Sequence, residues 1–407
     1  MKALIMAAGE GKRLSPFTQT TPKVLLQIAG KPIIHHLILE AKKAGIKEAV
    51  IVVRYLKEKI IEYFKNNDPG IKLTFVEQIP ENGTGSAILS AENEFSDTFV
   101  VLAGDTVTES SIIQSVIEEH KKGITLAVKK VPNPREYGVV ELSNGKISAF
   151  EEKPQNPKTD LANLSIYCME PTIFSDLRRI GKSSRNEYEV VNLFVGAKAV
   201  VTTGMWKDIG YPWDLFDANE MLLNKLEQRN QGSIENSTIK GKVILEKGAQ
   251  IINSYVEDYS YIGENTIIGP NSHLRGFNSI GKNCSIGSGS CVKNSILFDN
   301  VHAKHLTYIG DSVIGSDVNF GAGTQIANYR FDGSVVNVFT ERGWTNTAKR
   351  KIGAFVGDGT KFGVLSCTMP GKIIGSNCQI HSGVIINQNI PPNTIVSNKQ
   401  DLIITKI

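Results

Sequence analysis

The chain has 407 residues, more than one typical hydrophobic core accommodates, so two domains are expected. Its net charge is only +4 and basic runs with interleaved aromatic residues are missing, which argues against nucleic-acid binding. No segment approaches the roughly 20 apolar residues that span a bilayer, which argues against a membrane protein. Five cysteines without a CxxC pair indicate reduced thiols, as in a cytoplasmic protein.

The first part of the chain alternates strand-like apolar runs with amphipathic segments. Its start, a short apolar run followed by charged residues, reads as a buried strand rather than a signal peptide. The βαβ order predicts a mixed, mostly parallel sheet with helices on both faces, and ligands bind beyond the carboxyl ends of such strands. We predict strands over 3–7, 49–53, 73–76 and 98–102, and helices over 33–44, 58–65, 87–94 and 219–229.

From about residue 239 the periodicity changes, because an aliphatic residue recurs at every sixth position. The clearest run is Ile262, Ile268, Leu274, Ile280, Ile286 and Val292. A six-residue repeat indicates a parallel β-helix, in which each hexad forms one side of a coil and its aliphatic residue points inward. The repeat is interrupted at 295–301 and 329–351, where we expect loops to project. The predicted domains are therefore 1–228 and 229–407.

A glycine-rich turn follows the first predicted strand. Gly9 and Gly11 would let backbone N–H groups approach phosphate oxygens, and the Arg13 guanidinium could pair with a phosphate. The turn lacks the Gly-Lys-Ser/Thr ending of a P-loop and the third glycine of a dinucleotide fingerprint. Lys23 lies ten residues after Arg13, where Pro22 fixes the backbone before it, and Lys23 could reach the same phosphates.

These two motifs together resemble the opening of the sugar nucleotidyltransferases. The resemblance implies a Rossmann-like domain that transfers a nucleotidyl group to a sugar-1-phosphate, with Arg13 and Lys23 as catalytic cations. Asp105 and Asp208 would hold Mg²⁺, although Asp105 alone could equally be a turn residue. The implied nucleotide-binding residues are Ala8, Gly9, Gly11, Gln78, Gly83 and Thr84. The implied sugar-phosphate residues are Gly138, Glu152, Lys153 and Asn163, although Ser165 stands where this family usually has glycine.

A nucleotidyltransferase domain followed by a hexapeptide solenoid is similar to the bifunctional enzymes of UDP-N-acetylglucosamine synthesis. The string from Lys304 to Asp311 matches the family segment that carries the catalytic histidine. The resemblance implies a left-handed β-helix, with His305 as the general base of an acetyltransferase. The implied sugar-phosphate residues of this second site are Arg275, Lys293, Tyr308, Asn319 and Asn328. The chain departs from the family pattern at 336–350, where Arg342 and Lys349 could contact coenzyme A.

The resemblance therefore implies two activities on small molecules. The protein would acetylate glucosamine-1-phosphate with acetyl-CoA and then transfer a uridylyl group from UTP with Mg²⁺, as a cytoplasmic homotrimer. A single-activity thymidylyl- or uridylyltransferase that uses dTTP or UTP, with the solenoid serving oligomerisation, stays open as an alternative. A regulatory subunit without catalysis would have lost its phosphate and metal residues, and all four of Arg13, Lys23, Asp105 and Asp208 are present.

Overall fold

The computed structural model of the protein describes residues 1–79, 83–183 and 186–405. The chain forms two compact units. The first comprises Met1–Glu10, Pro22–Leu25 and Pro32–Asp208, and the second comprises Gly11–Thr21, Leu26–Lys31 and Ile209–Ile407. The segment that carries Arg13 thus belongs to the second unit. A domain division after residue 228 remains a prediction.

A nine-stranded sheet forms the centre of the first unit. In spatial order its strands are Lys72–Glu77, Glu48–Val53, Lys2–Ala7, Phe99–Ala103, Leu161–Met169, Ile124–Lys130, Lys198–Val201, Lys146–Glu152 and Gly138–Ser143. The first four strands are parallel, as predicted for strands linked by crossover helices. From Leu161–Met169 onward, antiparallel pairs predominate, and most of them join strands that are not consecutive in the chain. The predicted mostly parallel character therefore holds for the first four strands and for one later pair, Ile124–Lys130 with Lys198–Val201.

The helices bury one face each against this sheet or against the solenoid of the second unit. Their bounds are Ile33–Lys43, Lys57–Asn66, Thr84–Ser90, Ser110–Glu119, Ile173–Leu177 and Asp214–Lys225. In the first of them Ile34, Leu37, Ile38 and Ala41 are fully buried, in agreement with the predicted helical spacing. The helix predicted over 219–229 begins five residues earlier than expected. Its start is fixed by Asp214, whose carboxylate accepts hydrogen bonds from the backbone N–H groups of Gly210 and Tyr211.

The second unit is a solenoid of short parallel strands. From Ile267–Ile268 to Gln325–Ile326, each strand pairs in parallel with the strand three places further along the chain. Three strands therefore make one coil, and equivalent positions are 17 or 18 residues apart. The six aliphatic residues of the clearest hexad run are all fully buried in one core cluster. This confirms the predicted inward direction of the hexad residues.

The solenoid strands fall into a fourteen-stranded sheet that covers two faces and a nine-stranded sheet that covers the third. The larger sheet contains Arg229–Asn230, Thr238–Leu245, Tyr255–Ile262, His273–Arg275, Phe277–Ile280, Cys291–Lys293, Ile296–Leu297, Tyr308–Gly310, Val313–Ile314, Gln325–Ile326, Ala354–Val356, Cys367–Thr368, Lys372–Ile374 and Ile385–Ile386. The third face contains Ser233–Glu235, Gln250–Ile252, Ile267–Ile268, Ser285–Ser288, His302–His305, Asn319–Phe320, Lys361–Phe362, Gln379–Ile380 and Ile395–Val396.

The two predicted interruptions of the repeat differ in the structure. At 295–301 no loop projects, because Ile296–Leu297 continues the ladder and Leu297 pairs with Ile280. One residue is missing from that coil, so the expectation of a loop there was wrong. At the second interruption, equivalent positions are 42 residues apart, and the extra chain forms a hairpin of Asn337–Thr340 and Gly343–Asn346. This insertion does project from the regular coils.

Two further observations concern the environment of the chain. Within the described ranges, no helix combines the length and apolar character that crossing a membrane requires. All five cysteines are free thiols, and Cys168, Cys284 and Cys378 are buried.

Candidate active sites

Lys23 and Asp105 form an ion pair at the edge of the first unit's sheet. Asp105 follows the strand Phe99–Ala103, whose parallel neighbour Lys2–Ala7 ends beside it. Between them Gly104 donates its N–H to the carbonyl of Met6, and a Cβ at Gly104 would lie only 2.7 Å from that oxygen. Glycine therefore lets the chain cross the end of the first strand. The Lys23 ammonium donates to the Asp105 carboxylate, and the two side chains are 11% and 29% exposed.

Asp208 reaches the same place through a two-stranded ribbon. The strand Trp206–Asp208 runs antiparallel to Thr106–Thr108, and Asp208 lies opposite Thr106, the neighbour of Asp105. The indole N–H of Trp206 donates to the Leu164 carbonyl at 3.0 Å and fixes the ribbon on the sheet. The structure thus brings Asp105, Asp208 and Lys23 together from three distant parts of the sequence.

The donor set at this edge fits Mg²⁺. Across the described part of the chain, no point gathers three or more His, Cys, Asp or Glu side chains, as a dedicated protein cage would require. Magnesium instead commonly takes one or two carboxylates and completes its shell with water and substrate phosphate oxygens. Asp105 and Asp208, whose backbones are neighbours in the ribbon, with Lys23 beside Asp105, could provide this chemistry.

The residues predicted to bind the sugar phosphate lie on the antiparallel half of the sheet. Gly138 and Glu152 are directly opposite each other in neighbouring strands. A Cβ on Gly138 would lie 2.8 Å from the Glu152 carboxylate and 2.6 Å from the Phe150 ring, so only glycine fits. Lys153 follows with a left-handed backbone (φ 49°), and its N–H donates to the Tyr137 carbonyl. These three residues therefore lie together where two neighbouring strands begin and end.

Asn163 lies in a bulged strand, and its side chain forms hydrogen bonds with nearby residues of the same strand. Its Oδ1 accepts from the Ser165 N–H at 3.1 Å, and its Nδ2 donates to the Tyr167 hydroxyl at 3.0 Å. Ser165 adopts a left-handed backbone (φ 56°), the conformation that glycine adopts most readily. Ser165 therefore adopts a conformation that is open to glycine, and the Asn163 amide supports the bulge.

The predicted base-recognition residues meet around Tyr188. Gln78 donates weakly to the Gly83 carbonyl and the Ser86 hydroxyl, both at 3.4 Å. A Cβ on Gly83 would lie 2.2 Å from the Tyr188 carbonyl, and the Thr84 hydroxyl accepts from the Val190 N–H. Glycine at 83 is therefore required by close backbone contact. Tyr188 could not be identified from the motifs, because it is remote from all of them.

The loop predicted to bind phosphate has residues in both units. Ala8 and Gly9 end the first strand in unit one, and the space around the Gly9 α-carbon is open. Gly11 begins the second-unit segment in a left-handed conformation (φ 68°). The Arg13 guanidinium lies 5.4 Å from the centroid of the Tyr211 ring, a cation–π distance. Tyr211 was also missed by the sequence motifs.

A second cluster of predicted residues lines a cleft of about 510 Å³ on the solenoid. Arg275 and Lys293 are paired in adjacent coils, and Lys293 pairs with Gly310 in the next, close to Tyr308. Four of the five residues predicted to bind the sugar phosphate of the acetyltransferase site therefore line this one cleft. The cleft is lined by Arg275, Lys293, Tyr308, Asn328, Tyr329, Arg350 and Lys351. Arg350 and Lys351 come from the end of the insertion and were not predicted there.

Asp311 connects several side chains of this cleft through hydrogen bonds. Its side chain is only 6% exposed and accepts hydrogen bonds from Lys293 at 2.8 Å, from Asn294 at 3.0 Å and from Asn328. Asn328 also donates to the Tyr308 hydroxyl at 3.1 Å. Burial, aided by the Asp311 charge, raises the pKa of Tyr308, so its hydroxyl stays protonated. Asp311 neutralises Lys293, which leaves Arg275, Arg350 and Lys351 as the excess positive charge.

His305 and Asn319 lie on the third face of the solenoid and are not among the cleft-lining residues. His305 is opposite Ser288, and Asn319 is opposite His302. Both side chains are exposed. Among the residues that the structure describes, none forms a hydrogen bond with the His305 ring. The protomer therefore does not bring His305 into the cleft of Arg275 and Lys293.

The insertion residues Arg342 and Lys349 have different surroundings. Lys349 is ion-paired with Asp217 of the last helix. Arg342 is exposed at the tip of the hairpin. Lys349 thus ties the insertion to the helix Asp214–Lys225. Contact of either residue with coenzyme A stays a prediction.

Comparison with known proteins agrees with both parts of the chain. The nucleotidyl transferase family model matches residues 2–225, and the model of the GMPPB C-terminal domain matches residues 251–402. The chain is 38% identical to the bifunctional protein GlmU of Methanocaldococcus jannaschii, and the match covers all of both chains. It is also 38% identical to a bifunctional sugar-1-phosphate nucleotidylyltransferase/acetyltransferase of Sulfurisphaera tokodaii, with 96% of this chain and 98% of that protein covered.

A solved structure gives a similar result for the first part of the chain. A putative glucose-1-phosphate thymidylyltransferase of Bacillus anthracis is 28% identical, with a TM-score of 0.51. The match covers 56% of this chain and 98% of the solved one.

The sheet, the paired carboxylates beside Lys23 and the family match define the class: the chain belongs to the nucleotidyl transferase family. The full-length matches then place the whole chain, solenoid included, in the family of the bifunctional GlmU proteins. Both resemblances inferred from the sequence motifs are confirmed.

Proposed function

We propose that the protein is a bifunctional enzyme of UDP-N-acetylglucosamine synthesis. It N-acetylates glucosamine-1-phosphate with acetyl-CoA and then transfers a uridylyl group from UTP to N-acetylglucosamine-1-phosphate. The observation that carries this proposal is the presence, in one chain, of the Lys23–Asp105–Asp208 cluster and the cationic solenoid cleft. The full-length similarity to bifunctional relatives supports the same assignment.

In the transfer reaction, an oxygen of the sugar-1-phosphate attacks the α-phosphorus of UTP. A new P–O bond forms while the bond from the α-phosphorus to the bridging oxygen breaks, and pyrophosphate leaves. Arg13 would hold the β- and γ-phosphates, and Lys23 would stabilise charge on the α-phosphate and the leaving group. Glu152 would accept hydrogen bonds from sugar hydroxyls, and Lys153 would pair with the sugar phosphate.

Asp105 and Asp208 would hold Mg²⁺, which neutralises the phosphate charge that accumulates as pyrophosphate departs. The ion pair with Lys23 keeps the Asp105 carboxylate at this position before substrate arrives. The nucleotide base would lie near Gln78 and the turn at Gly83–Thr84, where Gln78 offers an amide to the uracil edge. Ala8, Gly9 and Gly11 would present backbone N–H groups to the phosphates.

In the acetylation reaction, the amine of glucosamine-1-phosphate attacks the thioester carbonyl of acetyl-CoA. The C–N bond forms, the C–S bond breaks, and the coenzyme A thiol leaves. His305 would take the amine proton as the general base. Arg275, Lys293 and Tyr308 would hold the sugar phosphate, with Asn328 and Asn319 orienting the sugar. The excess positive charge of the cleft suits a phosphate dianion.

This assignment includes a left-handed β-helix and a homotrimer. Because His305 and Asn319 lie on a different face from the cleft, a neighbouring protomer would supply the histidine side of each acetylation site. Exposed apolar side chains at the solenoid corner after His305 support association there, since Leu306 is 65% and Leu365 is 72% exposed. An L306D/L365D variant should sediment as a monomer, and a trimeric variant would contradict this arrangement.

A second candidate is a single-activity nucleotidylyltransferase. It is favoured by the 31% identity to the glucose-1-phosphate thymidylyltransferase of Streptomyces griseus, which covers 80% of this chain and 95% of that protein. In that case the solenoid would serve association alone. The cleft with its four cations has no role in this alternative, which is why the bifunctional assignment is preferred.

The experiment that separates the candidates assays free thiol and pyrophosphate independently. The protein is incubated with glucosamine-1-phosphate, acetyl-CoA, UTP and Mg²⁺. The bifunctional assignment predicts release of both products. Pyrophosphate released from N-acetylglucosamine-1-phosphate, without thiol release from glucosamine-1-phosphate, would leave only the single-activity candidate. Replacing UTP with dTTP in the same assay determines the base preference.

A further inference from the structure

The segment Gly11–Thr21, which carries Arg13, is packed into the solenoid unit. The ring of Phe17 contacts that of Phe298 edge-to-face, with centroids 5.6 Å apart. Phe17 is 1% exposed and Phe298 is 5% exposed, so this pair is a buried anchor. Phe298 belongs to a coil that lies almost three hundred residues further along the chain.

Two polar contacts fix the end of the same segment. The Thr20 hydroxyl donates to Oδ2 of Asp358 at 2.6 Å, and the other oxygen of Asp358 accepts from the Ser316 N–H at 2.7 Å. One carboxylate therefore joins a coil corner to the segment. The side-chain oxygen of Gln19 also accepts from the Ser376 N–H at 3.3 Å. Three different coils thus contact residues 17–20.

Inside the segment, short hydrogen bonds hold Arg13 relative to these anchors. The Gly11 carbonyl accepts from the Leu14 N–H at 2.8 Å and from the Thr18 hydroxyl at 3.0 Å. The left-handed conformation of Gly11 makes this closed turn possible. Arg13 lies over the Tyr211 ring within the same unit. Displacement of Thr20 or Phe17 would therefore be transmitted to the turn that carries Arg13.

We propose that the solenoid positions Arg13 for nucleotidyl transfer, with Asp358 and Phe298 as positioning residues. This inference rests on the proposed function, which assigns Arg13 to the β- and γ-phosphates. A loop of eleven residues that was free in solution would lose conformational entropy each time it closed on a triphosphate. Anchoring by the coils removes that cost in advance, so the cation is preorganised before substrate binds.

The proposal predicts that solenoid residues remote from the phosphate motif control the first activity and leave the second unchanged. A merely structural role predicts a different result, in which substitutions lower stability and both activities together. The hydroxyl of Thr20 offers one test, because valine has nearly the same shape without the donor to Asp358 and to the Phe17 carbonyl, and serine keeps that donor. Asp358 offers a parallel test, because asparagine keeps one oxygen to accept from the Ser316 N–H and has an amide that can donate to the Thr20 hydroxyl oxygen, whereas alanine can do neither.

The experiment uses full-length Thr20→Val, Thr20→Ser, Asp358→Ala and Asp358→Asn proteins. Asp317→Ala is the matched control, since Asp317 lies at the equivalent corner of the preceding coil, accepts from Asn300 and, within the described residues, forms no hydrogen bond with the segment. Pyrophosphate release, thiol release and hydrogen exchange of the amides of residues 12–20 are measured for each. We expect Thr20→Val and Asp358→Ala to lower kcat/KM for UTP about tenfold.

The same two variants should exchange the segment amides faster and keep normal thiol release. Thr20→Ser and Asp358→Asn should regain most of the loss, and Asp317→Ala should match the wild type. Faster exchange with unchanged kcat/KM, or Asp358→Ala behaving like Asp317→Ala, would overturn the positioning role. Absence of pyrophosphate release from the wild type would instead refute the proposed function, and the two failures are therefore distinguishable.

Discussion

The two candidate sites are assembled in different ways. At the sheet edge, Lys23, Asp105 and Asp208 converge from irregular spacings, because the order of the strands alone decides which ends are neighbours. On the solenoid, Arg275 and Lys293 are one coil apart, and the coil length repeats along the chain. In a repeat, residues one repeat length apart in the sequence are therefore neighbours in space. In an open sheet, the sequence spacing does not predict which residues are neighbours. We therefore expect that a substitution at one site can abolish its activity and leave the activity of the other site unchanged.

The largest difference between the two activities is expected for the Asp105→Asn variant. Removing this carboxylate charge weakens the proposed Mg²⁺ site and leaves Lys23 without its partner, so pyrophosphate release should fall roughly 100- to 1,000-fold. Thiol release should not change, because the cleft of Arg275 and Lys293 lies in the other unit. The control is Asp160→Asn, at an exposed ion pair with Lys130. Equal loss of both activities would contradict independent sites.

The His305→Ala variant should have the opposite effect, with acetylation lost and uridylyl transfer kept. Loss of the general base should lower thiol release about 100-fold or more, since positioned proton transfer typically contributes that much. Pyrophosphate release from supplied N-acetylglucosamine-1-phosphate should stay at the wild-type rate. His302→Ala is the matched control on the same strand. If the His305→Ala protein still releases thiol normally, His305 has no catalytic role.

The Arg350→Met variant tests whether the solenoid cleft binds the phosphate of glucosamine-1-phosphate. The side chain lines the cleft, so its loss should raise the KM for glucosamine-1-phosphate about tenfold with a smaller change in kcat. Arg342→Met removes an exposed cation from the same insertion without touching the cleft. Steady-state kinetics with varied acceptor concentration distinguish the two. Identical KM values for both variants would place the acceptor phosphate elsewhere.

The smallest expected effect concerns stability at alkaline pH. Burial in the solenoid core raises the pKa of Cys284 from 9.0 to about 12. Above pH 9 the unfolded chain loses this proton while the folded protein keeps it, so unfolding becomes easier as the pH rises towards 12. Replacing the thiol should make the decline shallower by up to about 1.4 kcal/mol per pH unit. Denaturant unfolding of Cys284→Ala at several pH values tests this, and an unchanged slope would contradict it.

Periodicity made most of the fold predictable from the sequence. The hexad residues from Ile262 to Val292 are fully buried, and the first sheet strands lie within one or two residues of their predicted bounds. The antiparallel half of the first sheet was not predictable in the same way, because its strands pair with partners far away in the chain. The apparent interruption at 295–301 is a one-residue shortening, which a hexad count cannot distinguish from a loop.

Motifs indicated the candidate site residues but not the residues that contact them. Asp311, Tyr188 and Tyr211 lie outside the chemistry that the motifs specify, and each acts on a motif residue through a contact that only the fold creates. Arg350 and Lys351 enter the cleft because the insertion returns to the ladder beside Asn328, where Ile352 donates to the Asn328 carbonyl. From the sequence alone, this insertion is linked only to coenzyme A.

The central claim is that one chain performs two consecutive reactions at separate sites. Its most direct test is mass spectrometry of the products formed from glucosamine-1-phosphate, acetyl-CoA, UTP and Mg²⁺. The wild type should yield UDP-N-acetylglucosamine, and Asp105→Asn should accumulate N-acetylglucosamine-1-phosphate. His305→Ala should form UDP-N-acetylglucosamine only when N-acetylglucosamine-1-phosphate is supplied. A wild-type protein that forms no acetylated sugar, or an Asp105→Asn protein that accumulates none, would contradict the claim.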